Sequence, residues 1–296
     1  MSLIKIEDRG GDSIQFFEVD GIRYPYCSLI DQEQAIKAAR DFVPRDNDIL
    51  LITYIKSGTH WLWEILSMLQ RGSAETIPQV KQDCFIEFLS PTQLDAIPSP
   101  RVLNSHIWFD KIPTAMIEKK TKIVVCHRNP KDVAVSLYHH HFGLKNHYDY
   151  DGKWENWFPL FMEGQYDYGS WFDYVLGWDK AIKENPDYPI HVLTYEDLKT
   201  NGLEEVQKLS KFLGFNYDDD LCSAIVDKCH FRNMKIDKQP FATEYLKSMW
   251  RNESLSFYRK GEVGDWKNMF TVAQNEAFDA LYEQRMKGSD LTFKFE

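Results

Sequence analysis

Between residues 54 and 61 the chain reads YIKSGTHW, a lysine, two hydroxyls and a glycine in one short loop. Apolar runs flank it, with ILLITY on one side and WLWEIL at helical spacing on the other. One chemistry suits such a loop between a buried strand and a helix. The first backbone N–H groups of a helix are unpaired and carry partial positive charge, so they form a ready anion site. Gly58 lets the backbone approach a phosphate closely. Ser57 and Thr59 add hydroxyl donors, and Lys56 supplies a mobile positive charge. A Walker A motif would read GxxxxGK[ST]; here its first glycine is missing and the lysine precedes the glycine. Taken alone, the loop reads equally well as an ordinary strand-to-helix connection.

Two further segments favour the anion reading. In IVVCHRNPKDVAVSLYHH, Arg128 follows an apolar run and Ser136 lies eight residues later, inside the next helix. Arginine grips a phosphate bidentately. In FYRKGEVGDWKN, Arg259, Lys260 and Gly261 stand together among glycines. Each segment alone is more often solvated surface charge. Three of them in an acidic chain point to a ligand with two phosphate-like ends.

The elements that must hold these loops alternate. Residues 16–30 read as a short strand and turn, and 31–42 as a helix with Asp31 at its N-cap. Residues 48–55 form a short apolar strand, and 59–72 a helix that Gly72 ends. A strand at 121–128 leads to a helix at 130–143 with Pro130 in its first turn. Helices at 170–185, 202–215 and 271–286 and a strand running into a loop at 189–200 complete the pattern. The alternation predicts a single α/β domain over residues 1–296, a central, mostly parallel sheet flanked by helices. Ligands in such folds bind beyond the carboxyl ends of the strands.

Bulk properties narrow the classes. The 296 residues carry a net charge of −10, with a pI near 5.4, which argues against a nucleic-acid surface. Five cysteines, an odd number with no CxxC pair, fit reduced thiols rather than a disulfide framework or a zinc site. The opening MSLIKIEDRGGDSI has neither a signal-peptide core nor an Arg-rich transit pattern, and no apolar run is long enough to span a bilayer. A cytoplasmic, non-membrane protein is expected. The run His139-His140-His141 is not read as a metal site, because adjacent helix positions point in different directions; these side chains are expected to edge the pocket or the surface.

These motifs together resemble the cytosolic sulfotransferases. TYIKSGTHW looks like their 5′-phosphosulfate loop, RNPKDVAVS like their 3′-phosphate segment, and RKGEVGDWKN like their C-terminal phosphate-binding loop. KNMFTVAQNE is similar to their dimerisation motif. Order and separation match from about residue 15 to the end. The resemblance implies transfer of a sulfuryl group from 3′-phosphoadenosine 5′-phosphosulfate to an acceptor hydroxyl or amine, with no metal. It implies that Lys56, Ser57, Gly58, Thr59, His60 and Trp61 hold the 5′ end, with Trp61 also against adenine. Arg128, Ser136, Arg259, Lys260 and Gly261 would hold the 3′-phosphate, while Tyr195 and Phe231 contact adenine and Cys229 stands where Thr is frequent. His106, in SPRVLNSHIWF, matches the catalytic base, and Lys56 would stabilise the leaving oxygen. Read alone, a histidine after a strand is more often structural. Lys267, Thr271, Val272 and Glu276 would form a homodimer contact.

The chain also departs from the family pattern. Ile55 replaces the usual Pro before the loop lysine, removing its fixed φ. His60 stands where Thr or Asn is frequent, Asn104 where phenol-type members often carry Lys, and Trp108 where Pro is common. His60 is expected to bind the phosphosulfate, tune pH dependence or simply pack; Trp108 is expected to narrow the acceptor entrance. Together with His106 and Asn104, Phe85, Phe88, Trp108, Tyr138, His140, Tyr168 and Met249 are the acceptor-pocket candidates, although each reads as well as core packing. Segments 81–95, 140–166 and 236–256 are the expected covering loops. The leading expectation is a sulfotransferase for a small apolar alcohol, steroid or phenol, leaning slightly to alcohol or steroid. A binding protein that has lost turnover and a nucleotide kinase are the alternatives. Against the kinase stand the incomplete Walker A and the lack of an apolar strand ending in a magnesium-binding Asp.

Overall fold

ILLIT and KIVVCH are short apolar runs, and they become the two inner strands of a parallel sheet. The structure, a computed structural model, describes residues 2–28, 30–252 and 255–296. Its first strands, β1 (Ser2–Glu7), β2 (Ser13–Val19) and β3 (Ile22–Tyr24), form a small antiparallel sheet. Asp20 and Gly21 turn the β2–β3 hairpin at φ 50° and 78°, the paired positive angles of the tight hairpin turn. β1 was not expected from the sequence.

The central sheet contains β4 (Ile49–Thr53), β5 (Val102–Ser105), β6 (Lys122–His127) and β7 (Ile190–Thr194), all parallel, in the order β5-β4-β6-β7. Successive side chains of a strand point to opposite faces. Accordingly Leu50, Ile52, Ile123 and Val125 join one apolar cluster, and Ile49, Leu51, Val124 and Cys126 join the other. Burying each large aliphatic side chain contributes about 1.5–3 kcal/mol before the cost of ordering the chain. A buried pair fixes the base of the sheet: Arg101 Nε and Nη2 donate to the Asp48 carboxylate at 2.7 and 2.8 Å.

The helix Thr59–Arg71 follows β4 and packs Leu62, Ile65, Leu66 and Leu69 into the second cluster. Gly72 ends it at φ 63°, as expected. The helix Pro130–Gly143 follows β6, with Asn129 accepting from Asp132 N as its cap. The segment predicted as a loop after β7 is instead a short helix, Tyr195–Thr200, capped by Thr194. The chain leaves β4 for β5 on one side and returns to β6 on the other. The crevice beyond β4 is therefore a topological switch point, where ligands bind in open α/β sheets.

Candidate active site

The loop after β4 is built for close approach. Lys56 has φ 69° and Gly58 has φ 98°; the former is a left-handed conformation that costs a lysine about 1 kcal/mol or more. A Cβ on Gly58 would lie 2.8 Å from Cδ2 of Tyr195. Ser57 is fully buried, its N–H bonds Tyr54 O at 3.1 Å, and its Oγ is a buried hydroxyl without a partner among the described residues. Thr59 Oγ1 meets Thr53 Oγ1 at 2.8 Å. Lys56 Nζ donates to Nδ1 of His140 at 3.3 Å.

Arg128, at the end of β6, reaches back to this loop. Its Nη1 donates to Lys56 O at 3.2 Å and its Nη2 to Glu262 O at 2.9 Å, while its guanidinium lies 4.2 Å from the centroid of Tyr195. Tyr195 also meets Trp61 edge-on, at 5.3 Å. The C-terminal loop is anchored by the buried Asp132, which accepts from Gly264 N at 2.8 Å and Trp266 N at 3.0 Å. Within that loop Arg259 Nη2 bonds Asp265 at 2.6 Å, and Lys260 bonds the same carboxylate. Burial opposes ionisation of Asp265, but the bonds from Lys260, Asn268 and Arg259 hold its pKa down to about 2. Gly261 has φ 71°, and a Cβ there would lie 2.3 Å from Cδ2 of Phe231.

Lys56, Arg128 and Arg259, far apart in sequence, line a single cavity of about 570 Å³. Gly58, Thr59, His60, Trp61, Ser136, Tyr195, Cys229, Phe231, Lys260 and Gly261 line it too. Ser57 lies beneath the lining. The buried Oγ of Ser57 and the buried Nε atoms of Arg128 and Arg259 lack hydrogen-bond partners among the described residues, and the glycines at 58 and 261 leave room only for backbone. This donor set fits an anionic nucleotide.

At the other end stands His106, just past β5. Its ring Nδ1 lies 2.8 Å from Thr53 O and 3.1 Å from Thr53 Oγ1. The carbonyl can only accept, so Nδ1 carries the proton and Nε2 is left as the basic nitrogen. His106 N donates to Glu87 Oε1 at 2.9 Å. Phe85 and Tyr168 each present an edge or face at 5.1 Å from the imidazole. Phe85, Phe88, His106, His140, Tyr168 and Met249 all line the cavity.

Burial dominates the titration of this cluster. It holds Lys56 down to about 7, with Lys81, Arg259 and Arg128 pushing the same way. It keeps His106 well below the usual histidine range, again helped by Lys81. Burial raises the Glu87 carboxyl to about 7.

Three acceptor-pocket expectations are corrected. Trp108 lies outside the cavity lining and packs on Tyr174 at 5.5 Å, over the space that Gly169 and Gly177 leave open. Tyr138 faces Trp154 and Trp157 at 5.5 and 5.7 Å and bonds Gly152 O. Asn104 is fully buried behind the wall, where it donates to Lys81 O at 2.7 Å. His60 lines the cavity but stacks on Phe257 at 4.6 Å and bonds Gln82 at 3.0 Å. His141 does not edge the pocket or the surface: it is buried, with Nε2 donating to Asp167 and Nδ1 accepting from Trp157.

Of the expected covering segments, 81–95 contributes Lys81, Gln82, Asp83, Phe85, Phe88 and Leu89, and 236–256 contributes Thr243, Tyr245, Leu246 and Met249. Glu253 and Ser254 lie outside the described residues. Within 140–166, His140, Leu144 and His147 line the cavity, but Tyr148, Tyr150, Trp157 and Tyr166 are core. Lys81 and Glu87 went unnoticed in sequence, since nothing but their place in a covering segment marked them.

The sulfotransferase domain family matches residues 46–290. Sulfotransferase 1A1 of Canis lupus familiaris is 37% identical over 271 residues, covering 88% of this chain and 90% of its own. Sulfotransferase 1C2 of Homo sapiens is 36% identical over 297 residues, covering 97% of each chain. The crystal structure of mouse sulfotransferase SULT7A1 complexed with PAP superimposes with a TM-score of 0.73 at 29% identity, over 93% of this chain and 96% of that one. The matched span takes in the loop after β4, His106, Arg128 and the C-terminal glycine loop, and with these relatives the chain belongs to the cytosolic sulfotransferase family and is a sulfotransferase.

Proposed function

We propose that the protein transfers a sulfuryl group from 3′-phosphoadenosine 5′-phosphosulfate to the hydroxyl of a small apolar acceptor, with His106 as the base. The observation that carries this is the shared cavity: Lys56 and His106, whose basic nitrogen is Nε2, border one space with the cations of two other segments. PAP in the mouse relative supports the choice of nucleotide. Lys56 to Trp61 would hold the 5′ end. Arg128, Ser136, Arg259, Lys260 and Gly261 would hold the 3′-phosphate, and Trp61, Tyr195, Phe231 and Cys229 would surround adenine.

The donor supplies an activated sulfuryl group when bound. This chain's residues then align the acceptor oxygen and balance charge. Burial keeps His106 neutral at physiological pH, so Nε2 can take the acceptor's proton as the new S–O bond forms. Lys56 neutralises the bridging oxygen as the old S–O bond breaks. The walls of Phe85, Phe88, Tyr168 and Met249 favour an apolar acceptor body. Family membership displaces the kinase alternative, and the seating of Lys56 and His106 together favours turnover over a silent binder.

We also infer a homodimer through Lys267, Thr271, Val272 and Glu276. Thr271 caps the helix Val272–Arg285, and Val272 is 76% exposed. The mechanism is tested by His106→Ala. Transfer should fall by about 10²- to 10⁴-fold, while titration with 3′-phosphoadenosine 5′-phosphate stays near wild type. Near-normal turnover in that variant removes His106 as the base.

A further inference from the structure

A buried ammonium lines the cavity, and among the described residues no carboxylate forms an ion pair with it, Glu87 acting on it only through its charge. Lys81 is 6% exposed and lines the cavity. Its Nζ lies 4.1 Å from the centroid of Phe85 and 3.4 Å from Asn104 Oδ1. Among the described residues that amide oxygen is its one hydrogen-bond acceptor, at the long end of the range. Removing an ammonium from water is costly unless it is paired. A ring face and one distant amide offset that cost only in part.

The surroundings place this charge on the reacting oxygen's side. Asn104 lies in β5 and His106 just past its end, two residues on. Asn104 Nδ2 grips the Lys81 carbonyl at 2.7 Å and so pins the lysine to that strand. Phe85, over which the ammonium sits, presents its ring 5.1 Å from His106. Lys81 is also the foremost charge acting on both His106 and Lys56. One oxygen of Glu87 accepts from His106 N; the other is buried without a hydrogen-bond partner among the described residues, and its charge acts on Lys81 without an ion pair between them.

We propose that Lys81 is a specificity-determining residue whose ammonium binds the acceptor oxygen as it gives up its proton, so that the pocket prefers acidic hydroxyls of the phenol class to aliphatic alcohols. This rests on the transferase reading above. It reverses the slight lean to alcohol or steroid, because the cation that is absent on the strand at Asn104 arrives from a neighbouring turn. A phenolate carries a full charge to which an ammonium bonds strongly; an aliphatic hydroxyl develops charge only late.

The test compares 4-nitrophenol with 4-nitrobenzyl alcohol, which are close in size and differ in acidity. In Lys81→Met the ratio of kcat/KM values, phenol over alcohol, should fall by about tenfold or more, and Lys81→Arg should restore most of it. An unchanged ratio, or equal losses on both acceptors, overturns the proposal. A second measurement needs no turnover: 4-nitrophenol is titrated into protein saturated with 3′-phosphoadenosine 5′-phosphate, and the phenolate absorbance is followed. The wild-type and Lys81→Arg proteins should enrich the phenolate and Lys81→Met should not, while thermal shift with the nucleotide confirms that each variant is folded. If the wild type transfers to neither acceptor, the acceptor class in the proposed function fails, and the phenolate band alone decides this one. No enrichment in the wild type sinks it.

Discussion

Nucleotide binding should draw a proton onto Lys56. In the free protein burial holds this ammonium down to about 7, and Lys81, Arg259 and Arg128 add to the effect. A phosphate-like anion at ion-pair distance works the other way. At ~4 Å and an effective dielectric constant of ~20 it contributes about 4 kcal/mol, or about three pKa units. The bound-state value then returns to the ordinary lysine range near ~10. In the free protein about half of the Lys56 side chains are charged at pH 7 and about 3% at pH 8.5, whereas nearly all are charged in the complex. Binding therefore takes up about half a proton at pH 7, and the dissociation constant rises roughly fifteenfold between pH 7 and 8.5. The sign follows from the direction: a base whose pKa rises on binding favours the complex at low pH and loses it above its free-state value. Isothermal titration of 3′-phosphoadenosine 5′-phosphate in two buffers of different ionisation enthalpy counts the protons. At pH 7 Lys81, held at about 8 chiefly by burial, is already mostly charged, whereas the Glu87 carboxyl, raised to about 7 by burial, adds some uptake of its own, so the share of Lys56 is the part that its substitution removes. Lys56→Met should abolish most of it and weaken binding. No net uptake at pH 7, or uptake undiminished in Lys56→Met, would refute the reasoning.

Three other outcomes follow from the same geometry. Gly261→Ala puts a Cβ 2.3 Å from Phe231 on a backbone at φ 71°, so nucleotide affinity should drop about tenfold or more; titration showing wild-type affinity would mean that the loop yields freely. Asp132→Asn turns one of the oxygens facing Gly264 N and Trp266 N into a donor, and a loss of about 1–3 kcal/mol should lower Tm by about 2–10 °C in a thermal melt. Val272→Glu places a charge on an apolar side chain that is 76% exposed; size-exclusion chromatography should show monomers, and an unchanged dimer would remove this surface from the interface.

The convergence of Lys56, Arg128 and Arg259 on one cavity was legible because each stands in a locally marked loop. A loop that cradles an anion needs a strand before it, a helix after it and a glycine between, and residues 49–71 state all three in order. Arg128 and the Arg259–Gly261 loop were legible for the same reason, each being a cation beside a turn. β5 was harder. It has only four residues, and its partner β4 fixes its register rather than any periodicity of its own. The helix Tyr195–Thr200 was missed because a strand signal ran straight into it, and its cap, Thr194, is itself the last residue of β7.

The acceptor half resisted because its walls come from side chains that any apolar core would also use. Trp108 and Tyr138 are as aromatic as Phe85 and Phe88; what separates them is whether a glycine or another ring waits behind. Gly177 leaves 3.3 Å between its would-be Cβ and the Trp108 ring, and so draws that ring away from the cavity. Trp154 and Trp157 occupy Tyr138 in the same manner. Charge is subject to a similar ambiguity. At position 104 the strand holds an amide where phenol-type members often carry Lys. A cavity's potential, however, sums over every group that reaches it. The amide at 104 takes hold of Lys81 by both its main chain and its ammonium, so the residue that removes the cation from the strand is the one that holds another in place.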